Sequence, residues 1–209
     1  MSAKYETGRV PTHVRPAAFM TFAFVRCLAA GGLAALAACF AAGPASAVVE
    51  KVMTMCGGQL CPFFRPSFAV PEGWWEDHKT GMRLGVRLFV PTGETFDSAP
   101  AIIYALARLG QEGEDVVAAV ASHHETWRRK VPEVAITRLD DVRRNDGAAF
   151  QLHHFVSPNL ATQPYERVAT GIDGDAQGSP FVIRLVLTAK TEAALKQAED
   201  AFVTLLKRY

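Results

Sequence analysis

The sequence predicts an α+β fold: an antiparallel β-sheet of about six strands flanked by two main helices. Two observations carry this. Strand-like runs joined by turn residues fill the span 134–187, and amphipathic stretches at 112–130 and 192–208 bracket them. Helices that each own one apolar stripe bury it most readily by lying on a sheet.

A leader precedes that domain. Lys4, Arg9 and Arg15 open the chain, and a second start at Met20 is followed by Arg26 and an apolar run from Cys27 to Ala42. Gly43-Pro44 break the run before Ala45-Ser46-Ala47. A basic region, a short apolar region and small residues at the cut describe a secretory signal peptide, residues 1–47. The run is too short and alanine-rich for a membrane span. Leu36-Ala37-Ala38-Cys39 also fits a lipobox, in which acylated Cys39 would tether the protein. Bulky Phe40 favours simple cleavage. The expected localisation is periplasmic or secreted, with lipid anchoring through Cys39 as the alternative and no transmembrane span after processing.

Residues 48–66 then read as an N-terminal arm and 67–209 as a single α+β domain, long enough to bury its own core. The leader carries four of the 22 Lys+Arg and one of the 21 Asp+Glu, leaving 18 against 20 and a net charge of −2. That balance argues against nucleic acid and against an electrostatically held membrane surface. Cys56 and Cys61, spaced C-x4-C around Gly57-Gly58, read as a local disulfide in an oxidising compartment.

The elements follow in order. Phe63 to Pro71 is apolar and proline-punctuated, as an edge strand is. Glu72-Gly73 turns into Trp74-Trp75, and Leu84 to Val90 continues as a strand closed by Pro91-Thr92-Gly93. Ile102, Ile103 and Tyr104 tilt Ala101–Leu109 toward strand. Glu112–Lys130 is the first helix, with Val116, Val120, His123 and Trp127 on one face and Arg128, Arg129 and Lys130 at its negative end. Val134–Arg143 leads through the turn Asn145-Asp146-Gly147 into Ala148–Val156, which sets Phe150, Leu152, His154 and Val156 against Gln151 and His153. Tyr165–Ile172 follows, and the nearly unbroken apolar run Phe181–Leu187 belongs at the centre of the sheet. The last helix spans Glu192–Arg208, capped by Thr191, with Leu195, Ala198, Phe202, Leu206 and Tyr209 as its stripe.

This order, the stretch Phe68-Ala69-Val70-Pro71-Glu72-Gly73-Trp74 and the amphipathic C-terminal helix resemble the PsbP-like fold family, which has periplasmic and lipoprotein members such as DcrB. The resemblance covers about residues 64–209. It implies an α/β/α sandwich and a non-enzymatic binding or assembly module, with no catalytic residues to carry over.

Chemical motifs are scarce. His123-His124 on a helix and His153-His154 on a strand are the metal candidates, and a second alternative function, a metal-dependent hydrolase, would rest on them. There is no H-E-x-x-H, adjacent strand histidines point apart, and no metal or other cofactor is expected. Asp173-Gly174-Asp175 opens like a calcium loop, but Arg184 stands where the closing glutamate belongs. Ser67, Ser98, Ser122, Ser157 and Ser179 all lack a nucleophile-elbow setting. The densest aromatic stretch, Phe63, Phe64, Trp74 and Trp75, rimmed by Arg65 and Arg87, is the candidate contact surface. The leading expectation is an exported, non-catalytic binding or assembly protein of the bacterial envelope whose partner is another envelope protein. A periplasmic carrier of a small apolar molecule or lipid is the alternative.

Overall fold

The computed structural model describes residues 48–56, 58–160, 162–175 and 178–209. The leader 1–47, with Cys39 and the cut after Ala47, lies outside them. In chain order the elements are β1 (Val48–Cys56), β2 (Gln59–Ser67), β3 (Trp74–Glu76), α1 (His78–Leu84), β4 (Arg87–Pro91), β5 (Ala101–Leu109), α2 (Val116–Lys130), β6 (Ala135–Arg138), β7 (Val142–Arg143), β8 (Ala149–Val156), β9 (Tyr165–Gly174), β10 (Pro180–Ala189) and α3 (Glu192–Arg208). The fold is mixed α+β, with every strand pairing antiparallel. The sheet has ten strands rather than about six, in the order β1-β2-β5-β10-β9-β8-β6, with β3, β4 and β7 attached to its sides.

Most of the excess lies before α2. The arm folds into a hairpin, β1 against β2, turned at Gly58 with φ 84°. It joins the sheet where Phe64 stands opposite Ala107, and Val49 is buried in the core. The strand expected at Phe63–Pro71 is therefore shifted: β2 ends at Ser67 and lies between β1 and β5, and β1 is the edge. The hairpin register pairs Cys56 with Gln59 and Thr54 with Cys61, so positions 56 and 61 are diagonal neighbours on one face. The Cys56 side chain lies outside the described residues.

Three further differences have local causes. An unexpected helix, α1, precedes the expected Leu84–Val90 strand and takes its first residue, so the strand itself, β4, starts only at Arg87. The Asp77 carboxylate accepts from Thr80 N at 3.0 Å to start it, and Gly85, at φ 69°, ends it. Helix α2 begins at Val116 rather than Glu112, because Gly113 turns at φ 72° and Asp115 is the true cap, accepting from Ala118 N at 2.8 Å. The expected Val134–Arg143 strand splits into β6 and β7 at Leu139-Asp140-Asp141, where two poor strand formers sit together.

Strand β10 is central, between β5 and β9, as its apolar run requires. Its alternation sends Phe181, Ile183, Leu185 and Leu187 to one face and Val182, Arg184, Val186 and Thr188 to the other. The first set packs with Leu195, Phe202 and Leu206 of α3 in the main core. The second set shares its face with Phe155 and Val168, against which Trp127 of α2 packs. Helices α2 and α3 thus lie on opposite faces of the sheet. The C-terminal Tyr209 is 5% exposed and lies under the Arg144 guanidinium, 4.8 Å from its ring centroid. Arg144 also pairs with Asp146 and, at 3.3 Å, with Asp173. Among the described residues no helix is long and apolar enough to cross a membrane.

Candidate functional site

The residues singled out around the double tryptophan do not form one exposed patch. Phe64 faces inward, its ring 5.0 Å from that of Phe181, and Trp74 packs against the main core. Arg65 pairs with Glu50 at 3.0 Å. Arg87 is buried: it bridges both Glu76 oxygens, donates to the carbonyls of Pro66 and Phe68, and stacks over the Phe68 ring at 4.5 Å. Phe63 is half-buried. Trp75 is 40% exposed, tied at Nε1 to the Glu94 carbonyl at 3.2 Å. Adjacent tryptophans on a strand point to opposite sides, so one is inside and the other outside.

The paired histidines divide in the same way. On β8, His153 faces α2, while His154 lies on the α3 side, its Nδ1 3.0 Å from the Glu166 carbonyl oxygen. The packing of α2 on the sheet brings His124 to His153, ring centroids 4.6 Å apart and edge-to-face, with His123 5.5 Å from Phe155 and 6.4 Å from Trp127. Burial, then Arg184, pushes His123 down to about 3, and burial, then His124, pushes His153 to about 4. Burial lowers His124 and His154 as well. The His123, His124 and His153 rings pack as aromatics. Among the described residues no group of three or more His, Cys, Asp or Glu has the arrangement to hold a metal ion.

A concave site lies on the same face of the sheet, beyond the end that α2 covers. Leu84, Val86, Leu88, Phe96, Ile102, Tyr104 and Gln163 line an open groove of about 240 Å³. Helix α1 builds its rim. A Cβ at Gly81 would stand 2.7 Å from the Val86 carbonyl oxygen, so glycine there lets α1 sit tightly on β4 and project Leu84, 49% exposed, over the groove. The walls are apolar, and Gln163 supplies a carboxamide at one end, its Oε1 accepting from the Thr188 hydroxyl at 3.3 Å.

Behind Gln163 lies a polar row that sequence reading did not single out. The register aligns Ile102, Thr188 and Glu166 across β5, β10 and β9, and Tyr104, Val186 and Val168 in the row beside them. Glu166 is 8% exposed, and its Oε2 is buried without a hydrogen-bond partner. Burial, opposed only by the Thr188 hydroxyl, raises its carboxyl to about 7. Burial, and after it the Glu166 charge, pushes the Tyr104 hydroxyl up. The signal was present in the strand Tyr165–Ile172, where Glu166 is in phase with Val168, Thr170 and Ile172 on the buried face. An open apolar groove beside a few convergent polar groups, one with a displaced pKa, is the usual composition of a small-molecule site. No protein-family model matches this chain, and no curated protein matches it.

Proposed function

We propose that this chain is an exported, non-catalytic binding protein of the bacterial envelope, PsbP-like in architecture, which carries a small and mainly apolar ligand in the groove over Leu88, Ile102 and Tyr104. The observation that carries the reading is the groove itself: apolar on nearly every side, open to solvent, and closed at one end by Gln163, behind which Glu166 keeps one buried oxygen without a hydrogen bond. Helices α2 and α3 on an antiparallel sheet support the PsbP-like reading of the sequence, while ten strands in place of about six depart from it. Export rests on the leader 1–47, and a Cys56–Cys61 bridge fits an oxidising compartment. His124 and His153 pack ring against ring, and among the described residues no third His, Cys, Asp or Glu joins them, which favours binding over metal-dependent hydrolysis.

The test is displacement of a fluorescent apolar probe, N-phenyl-1-naphthylamine, from the purified protein. Saturable binding that drops about tenfold or more in Leu84→Glu, which puts a charge on the exposed rim, supports the groove. Absence of saturable binding, or equal binding by the variant, removes it.

A second reading, docking of another envelope protein, draws on Trp75 of β3 at 40% and Val70, just before β3, at 42% exposure. A Trp75→Ala variant that loses a partner captured from the native envelope would favour it.

A further inference from the structure

Glu166 is out of place in a simple apolar carrier. The register puts Ile102, Tyr104, Leu106 and Arg108 of β5 on the groove-side face, Val182, Arg184, Val186 and Thr188 of β10, Val168, Thr170 and Ile172 of β9, and Gln151, His153 and Phe155 of β8. Glu166 is the only acid these four strands present there, and the cations nearby are committed elsewhere. Arg184 donates from Nη2 to the Ala119 carbonyl at 3.3 Å, with its Nε buried without a partner two rows away from Glu166, while Arg108 pairs with Glu114 and Arg138 with Asp141. Arg167, next in the chain, points to the other face and holds Glu199 at 3.1 Å. Among the described residues no ion pair reaches Glu166, and its Oε2 is buried without any hydrogen bond. A buried carboxyl with an unmet oxygen costs folding free energy that a glutamine or leucine would largely spare. Of the buried atoms without a hydrogen bond, Glu166 Oε2 stands in the strand row beside an open apolar groove, where a group from outside can reach it.

The groove supplies the route. One wall is Gln163, whose single side-chain bond to Thr188, at 3.3 Å, is long, and Thr188 is the cross-strand neighbour of Glu166. The adjoining wall, Tyr104, is near enough for its hydroxyl to respond to the Glu166 charge. A headgroup passing Tyr104 and displacing Gln163 would meet the Thr188 hydroxyl and the Glu166 carboxylate together. A carboxylate next to an apolar channel favours a donor that carries positive charge, since a charge-assisted hydrogen bond is about twice as strong as a neutral one.

Resting on the groove reading above, we infer that the ligand is a cationic amphiphile, an apolar chain with a protonated amine head, and that Glu166 is the residue that selects the amine. Leu84, Leu88, Phe96 and Ile102 hold the chain; Thr188 and Glu166 receive the head.

The test compares two probes of equal chain length, dodecylamine and dodecanol, by equilibrium dialysis below their aggregation concentrations at about pH 8, where the carboxyl is charged and the amine still protonated. The wild-type protein should take the amine about tenfold or more tightly than the alcohol. Glu166→Gln should abolish that preference, bringing amine binding down to the level of alcohol binding by the same variant. Equal binding of the two probes by the wild type overturns the inference and leaves the groove reading intact. So does a preference that survives in Glu166→Gln. Binding of neither probe removes both. The wild-type ratio decides the matter even where the variant folds poorly.

Discussion

Arg87 and Glu76 form a bidentate ion pair inside the protein, Nε to Oε1 at 3.0 Å and Nη2 to Oε2 at 2.6 Å, each side chain 10% exposed. The pair crosses from β4 to β3, and the same guanidinium ties down the carbonyls of Pro66 and Phe68 and stacks on Phe68 and Phe89. An arginine expected at the rim of a contact surface is instead the fastening between the arm and the sheet.

Arg87→Met is therefore expected to cost about 3–5 kcal/mol, because it strands Glu76 and two buried carbonyls without their donor. Arg87→Met with Glu76→Gln should cost less than the two single changes added together. Urea unfolding midpoints of the four proteins measure both statements. A loss below about 1 kcal/mol for Arg87→Met would show the pair to be peripheral.

Stability should respond to pH through Glu166 with a definite sign. Its carboxyl rises from an ordinary 4.5 to about 7, so the folded state holds its proton longer than the unfolded chain. The stabilising contribution is complete below about 4.5 and is lost as pH rises through about 7. Each pKa unit is worth about 1.4 kcal/mol, which makes the loss on the order of 3 kcal/mol. The histidines act in the opposite direction: His123 falls from 6.5 to about 3, so its contribution is present above 6.5 and lost toward acid. Both effects operate in the wild type, but only the histidine effect remains in Glu166→Gln. The difference in unfolding free energy between the two proteins should shift toward the variant between about pH 4.5 and 8. A constant difference across that range would contradict the raised carboxyl.

Gly171 on β9 makes room for a ring. A Cβ there would lie 2.8 Å from both Cδ1 and Cε1 of Phe150, which is fully buried and stacks edge-on against Tyr209 at 5.3 Å. Gly171→Ala should cost about 1–3 kcal/mol through overpacking. Adding Phe150→Leu should recover part of that loss. Thermal unfolding of the single and double variants provides the check, and a neutral Gly171→Ala would mean the ring moves aside freely.

Local rules explain why some elements were legible in the chain and others were not. Helix α3 is bounded by Thr191 and Arg208 as its cap and stripe require, and β10 is central as its apolar run requires. The cap and stop of α1, Asp77 and Gly85, were also readable, but seven residues are too few for the apolar periodicity that identifies a longer helix. The histidine pairs show the limit of spacing arguments. Strand alternation separates His153 from His154, yet only the packing of α2 on β8 brings His124 to within 4.6 Å of His153.

By itself, the sequence determined the α+β class, the position of the last helix and the central strand, and the near balance of charge. All of these follow from composition, periodicity and caps, which act within one element. Tertiary structure alone decided that Arg87 is internal and Trp74 packs on the core, that the arm enlarges the sheet, and that Glu166 keeps an unmet oxygen behind an apolar groove. Those outcomes depend on which strands lie side by side and how far a helix extends over them. Burial and partnership arise between elements distant in the chain, and no window of sequence contains them.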